Sequence, residues 1–560
     1  MKNRNGMSVM KIPVPCGDEE CSGNTVKEKT MQGTGEILYN GICLPEVWPP
    51  QNMKEPLIRR EYFVPPYLIH PPEVILLGTG RELFVDDFLV EKTDCDRSWH
   101  YPEKYENNPV LKPEYPWEVN NHNGSSCACP KSGGVWFDYE KKIYRMWYEG
   151  GWLNTVCCAE STDGLHWERP QYDVFPGTNR VLPFGLKCDS WTVVHDYYTE
   201  NEKERYKLFL MEPCGIARGM CMTSPDGIHW SNPVTTGMAG DRSTMFFNPF
   251  RKKWCFSLRA YFDGKRIRNY VEGDDFITTS RWGTEYPDDP ESLAVFWAGA
   301  DRYDPVHPAT NIEPQLYNLD AVPYESIMLG FFQLHYGPPN DVCEKSGLPK
   351  ITELEFAYSR DGFHWARPDR NCALRCGDRT AWDRGYMQSL GNICIVDEEK
   401  LTFYFTGFYG DDVCKSRHSM YNKGATGIAF LRRDGFVSLD AREERREILT
   451  RKVRFDSSRL FVNVDSEKGS LLVEVLDEHG NVFEGFSRND CLPVTENSTK
   501  KAVRWKKQDS LAVFAGRIVR FRFVLENAKL YSFWISPGEG GESCGYVAGG
   551  GACYHGPVDD

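Results

Sequence analysis

Ser161-Thr162-Asp163-Gly164-Leu165-His166-Trp167, Ser224-Pro225-Asp226-Gly227-Ile228-His229-Trp230 and Ser359-Arg360-Asp361-Gly362-Phe363-His364-Trp365 are three copies of one seven-residue phrase. Their aspartates are separated by 63 and 135 residues, about one unit and then about two. Self-similarity at such a spacing is the mark of a repeated supersecondary unit, and here it points to the blades of a β-propeller. Asp-Gly supplies the positive-φ positions of a tight hairpin turn, and the tryptophan is suited to packing between neighbouring blades. A phrase that recurs from blade to blade cannot mark one active site. Its Asp and His residues are therefore read as architecture.

Outward from these turns the chain is a series of short strands. Val135–Asp138 with Ile143–Tyr148 begins the series. Trp191–Val194 with Tyr206–Leu210, and Met245–Phe247 with Lys253–Leu258, follow it. Ser326–Phe332, then Asn392–Val396 with Leu401–Phe405, complete five units rich in β-branched and aromatic residues. Five units over residues 76–440 leave about 73 residues per blade, enough for four strands and functional loops. Beyond the propeller, residues 447–537 alternate cleanly, as in Leu460-Phe461-Val462-Asn463-Val464 and Ile518-Val519-Arg520-Phe521-Arg522-Phe523. They predict a separate antiparallel β-sandwich. Residues 1–75 are irregular and proline-rich and read as an arm on the main body. The Gly-rich tail, 538–560, carries no strand pattern and is expected to be mobile or to lie over a neighbour. The fold class is thus all-β: a five-bladed propeller followed by a C-terminal sandwich.

Composition narrows the function. A net charge of −14 disfavours nucleic acid or an anionic membrane as partner. No stretch approaches the roughly 20 apolar residues of a membrane span, and the polar N-terminus lacks the apolar core of a secretory signal. Twenty cysteines scattered without a framework are read as thiols in a reducing cytoplasm. Cys127/Cys129 and Cys157/Cys158 lack the paired CxxC spacing of a zinc site, so neither a metal nor a cofactor is expected. The oligomeric state is left open, a homo-oligomer included.

A propeller followed by a sandwich, with Ser-x-Asp-Gly-x-x-Trp turns, resembles the glycoside hydrolase family 32 proteins and the wider group with families 43, 68 and 130. Val119-Asn120-Asn121-His122-Asn123-Gly124 is similar to the first-blade Trp-Met-Asn-Asp-Pro-Asn-Gly sequence of family 32. The family's nucleophilic Asp falls on Asn121, an amide that cannot serve as a carboxylate nucleophile. The Arg-Asp-Pro and Glu-Cys-Pro motifs are absent. Fold alone does not fix the reaction.

The resemblance implies a small carbohydrate substrate and catalytic carboxylates projecting from the inner strands into the funnel. Glycosidic cleavage needs one protonated carboxylic acid and one ionised carboxylate. Asp189, Asp241 and Glu325, each just before a strand, are the expected catalytic residues. Asp320 is a further acid of the fourth unit. Asn121, His122, Arg259, Arg268, His335, Trp382 and Asp383 are the expected sugar-binding residues.

Three functions compete. The first is an exo-acting glycoside hydrolase of furanosidase type. The second is a phosphorylase similar to family 130, with one carboxylic acid and with inorganic phosphate held by Arg and His. The third is a carbohydrate-binding propeller that has lost catalysis.

Overall fold

A computed structural model describes residues 35–51, 62–120, 125–183, 185–213, 216–283, 294–416 and 418–560. Five four-stranded antiparallel sheets follow one another and form the blades of a propeller. Blade 1 has an interrupted inner strand, Ala128–Cys129 and Val135–Asp138, then Ile143–Gly150 and Thr155–Ser161. Blade 2 runs from Ser190–His195 through Tyr206–Met211 and Ile216–Ser224 to Ser231–Gly240. Blade 3 runs from Thr244–Asn248 through Lys253–Phe262 and Lys265–Gly273 to Val295–Gly299. Blade 4 has Gln315–Glu325 innermost, then Ile327–His335 and Thr352–Ser359. Blade 5 has Gly385–Val396 innermost, then Lys400–Phe408 and Gly424–Arg432. Its outermost strand, Glu103–Lys104, comes from before blade 1. The ring is therefore closed by main-chain hydrogen bonds between its two ends.

The repeated phrase forms the turn after the third strand of blades 1, 2 and 4. In the first copy Asp163 Oδ1 accepts the backbone N–H groups of Leu165 and His166, both at 2.8 Å, and Oδ2 lies 2.7 Å from His166 Nδ1. The other two copies repeat this geometry. Gly164, Gly227 and Gly362 adopt φ of +72°, +72° and +81°, which a side chain would resist. Each turn then accepts a hydrogen bond from an aromatic side chain of the preceding blade. Tyr404 Oη donates to Gly164 O at 2.7 Å, Trp147 Nε1 to Gly227 O at 2.8 Å, and Trp297 Nε1 to Phe363 O at 2.9 Å. The phrase is an inter-blade staple. This explains why it combines a fixed turn with buried aromatics.

Two further sheets form the sandwich. One orders Asn497–Ala502, Arg459–Asp465, Ala528–Ser536, Val437–Ala441 and Asp96–Trp99, with Glu82–Leu83 also paired to Ala528–Ser536. The other orders Ser470–Leu476, Arg520–Glu526, Arg446–Thr450 and Val90–Thr93. Alternate residues such as Val462, Val464, Val473, Val475, Phe521 and Phe523 are fully buried between them. The sheets thus draw strands from 82–99 and 437–441 as well as from the 447–537 segment expected to build them. Residues 82–99 carry too few residues per strand to show an alternation.

The tail does not float. Tyr546–Val547 pairs with the far end of Gln315–Glu325. Ala548, Gly549 and Gly550 exchange main-chain hydrogen bonds with Pro323, Phe137, Cys394 and Val396. The glycines are there because backbone lies against backbone. A side chain on Gly551 would run into Val396 O. The described part of the arm is also built in. Leu38, Ile42, Leu44 and Tyr67 are buried in the sandwich core, and Asn40 Nδ2 donates to Arg360 O at 2.8 Å.

Candidate active site

The inner strands of neighbouring blades contact one another around the axis. Their later residues, among them Trp136, Val194, Phe246 and Val322, close an apolar floor with Tyr546 and Ala548 of the tail. Their earlier residues converge at the other end, and there the chemistry collects.

Blade 1 supplies Lys131, fully buried, whose Nζ lies 2.7 Å from Glu149 Oε2 and donates to Asp189 O at 3.2 Å. Its ammonium sits 4.0 Å from the Trp152 ring centroid, and Trp152 stacks on Tyr421 at 3.8 Å. Blade 2 supplies Asp189, half-buried at the start of its inner strand. Burial raises the Asp189 pKa, against the pull of Lys131 and Arg242.

Blade 3 supplies Asp241 at the rim, ion-paired with Arg259 and 3.7 Å from Arg266 Nη2. The next residue, Arg242, has φ +64° and is 1% exposed. Its charge acts on Lys131, Asp189, Tyr317, Asp320 and Tyr386, which belong to blades 1, 2, 4, 4 and 5. Its guanidinium is therefore near the axis.

Blade 4 supplies Asp320, which accepts hydrogen bonds from Ser389 Oγ at 2.6 Å and Asn318 Nδ2 at 3.0 Å. Burial raises its pKa to about 6, against Ser389, Arg242 and Arg268. Tyr317 Oη meets Tyr386 Oη of blade 5 at 3.0 Å, and the Arg266 guanidinium lies 4.2 Å from the Tyr317 ring centroid. Burial pushes the Tyr317 phenol up, but Lys350 and Arg266 outweigh it and bring it to about 7. Lys350 is buried beside the Tyr317, Tyr386 and Tyr421 rings, with Nζ 2.8 Å from Asn340 Oδ1. His335 is lowered to about 3 by burial and by Lys350 and Arg266, so it is a neutral imidazole at neutral pH.

Of the expected catalytic residues, Asp189 and Asp241 stand at neighbouring strand entrances, which are tied by a hydrogen bond from Arg242 N to Ser190 Oγ at 2.9 Å. Glu325 is not. It is fully buried at the opposite end, bonded to Arg433, Arg81 N at 3.0 Å and Ser543 Oγ at 2.8 Å. The error has a simple cause. Glu325 precedes the second strand of its blade, which is antiparallel to the inner one and so begins at the other face. At about 3.3 Å per residue, Glu325 lies about 16 Å along the strand from Asp320. Asp320 is the axial acid of blade 4.

Among the expected binding residues, Arg259 and His335 line this end. Arg268 is fully buried and donates to Ser257 Oγ at 3.0 Å and Arg242 O at 3.0 Å, so it positions Arg242 rather than meeting a ligand. Trp382 stacks on Phe405 within blade 5, and Asp383 pairs with Lys104 of the outermost strand at 2.5 Å. Both face away from the axis. Asn121 and His122 lie outside the described residues.

The sequence reading missed Lys131, Glu149, Arg242, Arg266, Tyr317 and Lys350. Arg242 had a signal, because it shares register with Thr244 at the start of an inner strand. Lys131 and Lys350 had none, since both stand in irregular segments. Cys127, Cys129 and Glu149 place their donor atoms within 4.8 Å of one another. The Glu149 carboxylate is already matched by the Lys131 ammonium, so this set does not fit a resident cation.

No family model matches the chain, and no curated protein matches it. Solved structures similar to it include an N-acetylgalactosamine deacetylase from F. plautii, at 13% identity and TM-score 0.40, over 60% of this chain and 96% of that one. A fructofuranosidase from Schwanniomyces occidentalis is similar at 11% identity and TM-score 0.35, over 78% and 98%. An exo-beta-1,3-galactanase from Phanerochaete chrysosporium is similar at 9% identity and TM-score 0.31, over 75% and 99%. These likenesses are too distant to carry an activity across to this chain.

Proposed function

We propose that this protein cleaves a glycosidic bond of a small carbohydrate at the cationic end of its propeller. The observation that carries the reading is the pair Asp189 and Asp241 at the entrances of adjacent inner strands, joined by the Arg242 N to Ser190 Oγ hydrogen bond. Asp189 is the proton donor. A general acid must hold its proton near working pH, and burial raises its pKa toward that condition. Asp241, held between Arg259 and Arg266, is the ion-paired carboxylate available to orient water. The finer reading, an exo-acting furanosidase-type hydrolase in the cytoplasm, rests on the sequence resemblance and the thiol-rich composition.

One observation favours a second reading, phosphorolysis. Arg242, Arg266, Lys131 and Lys350 all gather at this end of a chain whose net charge is −14. Phosphorolysis needs only one carboxylic acid, which Asp189 supplies.

The test is turnover of a panel of oligosaccharides and aryl glycosides by wild type and Asp189→Asn, with and without inorganic phosphate. The proposal expects cleavage that falls about 10²–10⁴-fold in Asp189→Asn, the contribution of a general acid. Equal turnover by both proteins removes Asp189 from the mechanism. Absence of turnover with binding retained supports the binding-protein alternative.

A further inference from the structure

Buried hydrogen-bonding groups are almost always paired in folded proteins, and a buried guanidinium without a partner is costly. Arg242 is 1% exposed, and its Nε, Nη1 and Nη2 all lack a hydrogen-bond partner among the described residues. Its backbone is fixed in an unfavourable φ of +64° by Ser190 Oγ, which accepts from Arg242 N at 2.9 Å. Arg268 Nη2 holds Arg242 O at 3.0 Å. Such a rigid placement of an unmatched cation is not explained by stability.

The deficit extends around the axis. Thr244 Oγ1, Gln388 Nε2, Arg266 Nη1 and His335 Nε2 are also buried and unpartnered among the described residues. They belong to blades 3, 5, 3 and 4. A single small ligand rich in acceptor oxygens and carrying negative charge would answer both the charge and the missing acceptors. The neighbouring acids do not already do so. Asp241 is taken by Arg259 and Glu149 by Lys131; Asp320 Oδ2 accepts from Ser389 and Asn318, and its Oδ1, though unpartnered, makes no hydrogen bond to Arg242.

We infer that Arg242 is the floor of an oxyanion-binding subsite within the proposed sugar site. It takes either inorganic phosphate or an acidic group carried by the sugar, such as a uronate carboxylate. The inference deepens the glycosidic-cleavage reading and rests on it for the identity of the surrounding site. The two sources have different consequences. Bound phosphate attacks: one of its oxygens bonds to the anomeric carbon while the glycosidic carbon–oxygen bond breaks. The leaving oxygen takes the Asp189 proton, and the products are a sugar 1-phosphate and the shortened glycan. A uronate carboxylate takes no covalent part; it selects the substrate.

The experiment is calorimetric titration of the full chain with sodium phosphate, with D-glucuronate, and with glucose as the neutral control, at matched ionic strength. Wild type is expected to bind phosphate or glucuronate, and Arg242→Met to bind the same probe at least about tenfold more weakly, a loss of about 1.4 kcal/mol. Should Arg242→Met not fold, Arg266→Met is read in its place, with the same weakening expected. Phosphate alone bound assigns the acceptor, and glucuronate alone bound assigns an acidic sugar. Binding of neither probe at about 10 mM, well above ordinary Kd values for charged sites, overturns the inference, as does binding unchanged in the variants. Because the readout is binding, oxyanion affinity without any glycan turnover keeps this inference and removes only the cleavage reading.

Discussion

Strand Gln315–Glu325 carries two buried acids with opposite meanings. Glu325, at the tail end, sits in an ion-paired network: Arg433 and Arg81 balance its charge, Ser543 Oγ donates to it, and the neighbouring Asp434 pairs with Arg81. Asp320, at mid-strand on the funnel side, shares its surroundings with Arg242, whose guanidinium has no partner among the described residues, and one of its own oxygens is unpaired as well. Both acids are buried. The difference lies in how the cations are paired. At the tail end Arg81 and Arg433 each face an acid and hold propeller, sandwich and C-terminus together, whereas at the funnel end no nitrogen of the Arg242 guanidinium has a hydrogen-bond partner among the described residues.

The largest effect belongs to the funnel end. Asp189→Asn is expected to lower turnover about 10²–10⁴-fold while moving the melting temperature little, because that carboxylate accepts no structural hydrogen bond among the described residues. Steady-state kinetics beside a thermal melt checks both halves. A variant that is inactive only because it unfolds would place Asp189 with the architecture.

Glu325→Gln should do the reverse. Removing one partner of a buried ion pair leaves Arg433 under-compensated and costs about 3 kcal/mol. Urea denaturation should show this loss, with turnover per folded molecule preserved. Lost turnover in a fully folded Glu325→Gln protein would restore Glu325 to the mechanism.

Asp320 gives a pH signature. Its native pKa of about 6 exceeds the value near 4 of an unfolded carboxyl. Between those values the native state binds more protons, so the contribution is present at low pH and is lost as pH rises through about 6. Asp320→Asn should therefore gain on wild type by on the order of 2 kcal/mol between pH 4 and pH 7.5. A pH-independent difference in paired denaturation curves would show that Asp320 does not titrate in this window.

The smallest effects lie in the staples. Asp361–His364 is buried, whereas His166 is 88% exposed beside Asp163. His364→Ala should cost about 1 kcal/mol, and His166→Ala should shift the melting temperature by less than about 1 °C. Equal losses from both would mean that the third copy is no more structural than the first.

Local chemistry made much of this legible. The Asp-Gly turns announce themselves because a positive-φ glycine and an Asp that caps its own turn need no distant partner. Clean alternation in 460–464 and 518–523 marked the sandwich for the same reason. Asp189 and Asp241 lie at the funnel end because each opens an inner strand. Glu325 was misread because an inner strand and its antiparallel neighbour look alike in sequence, although they begin at opposite faces. Trp382 and Asp383 precede an inner strand but turn outward to Phe405 and Lys104. Two residues suffice to reverse a side chain's direction at a strand entrance.

By itself the sequence determined an all-β chain of repeated blades with a sandwich after them, since periodicity and turn chemistry are properties of neighbours in the chain. Only the tertiary structure decided which charges meet. Lys131, Arg242, Asp320 and Lys350 are scattered over more than 200 residues. Ring closure brings them to one axis, where burial makes an unpaired guanidinium expensive and therefore informative.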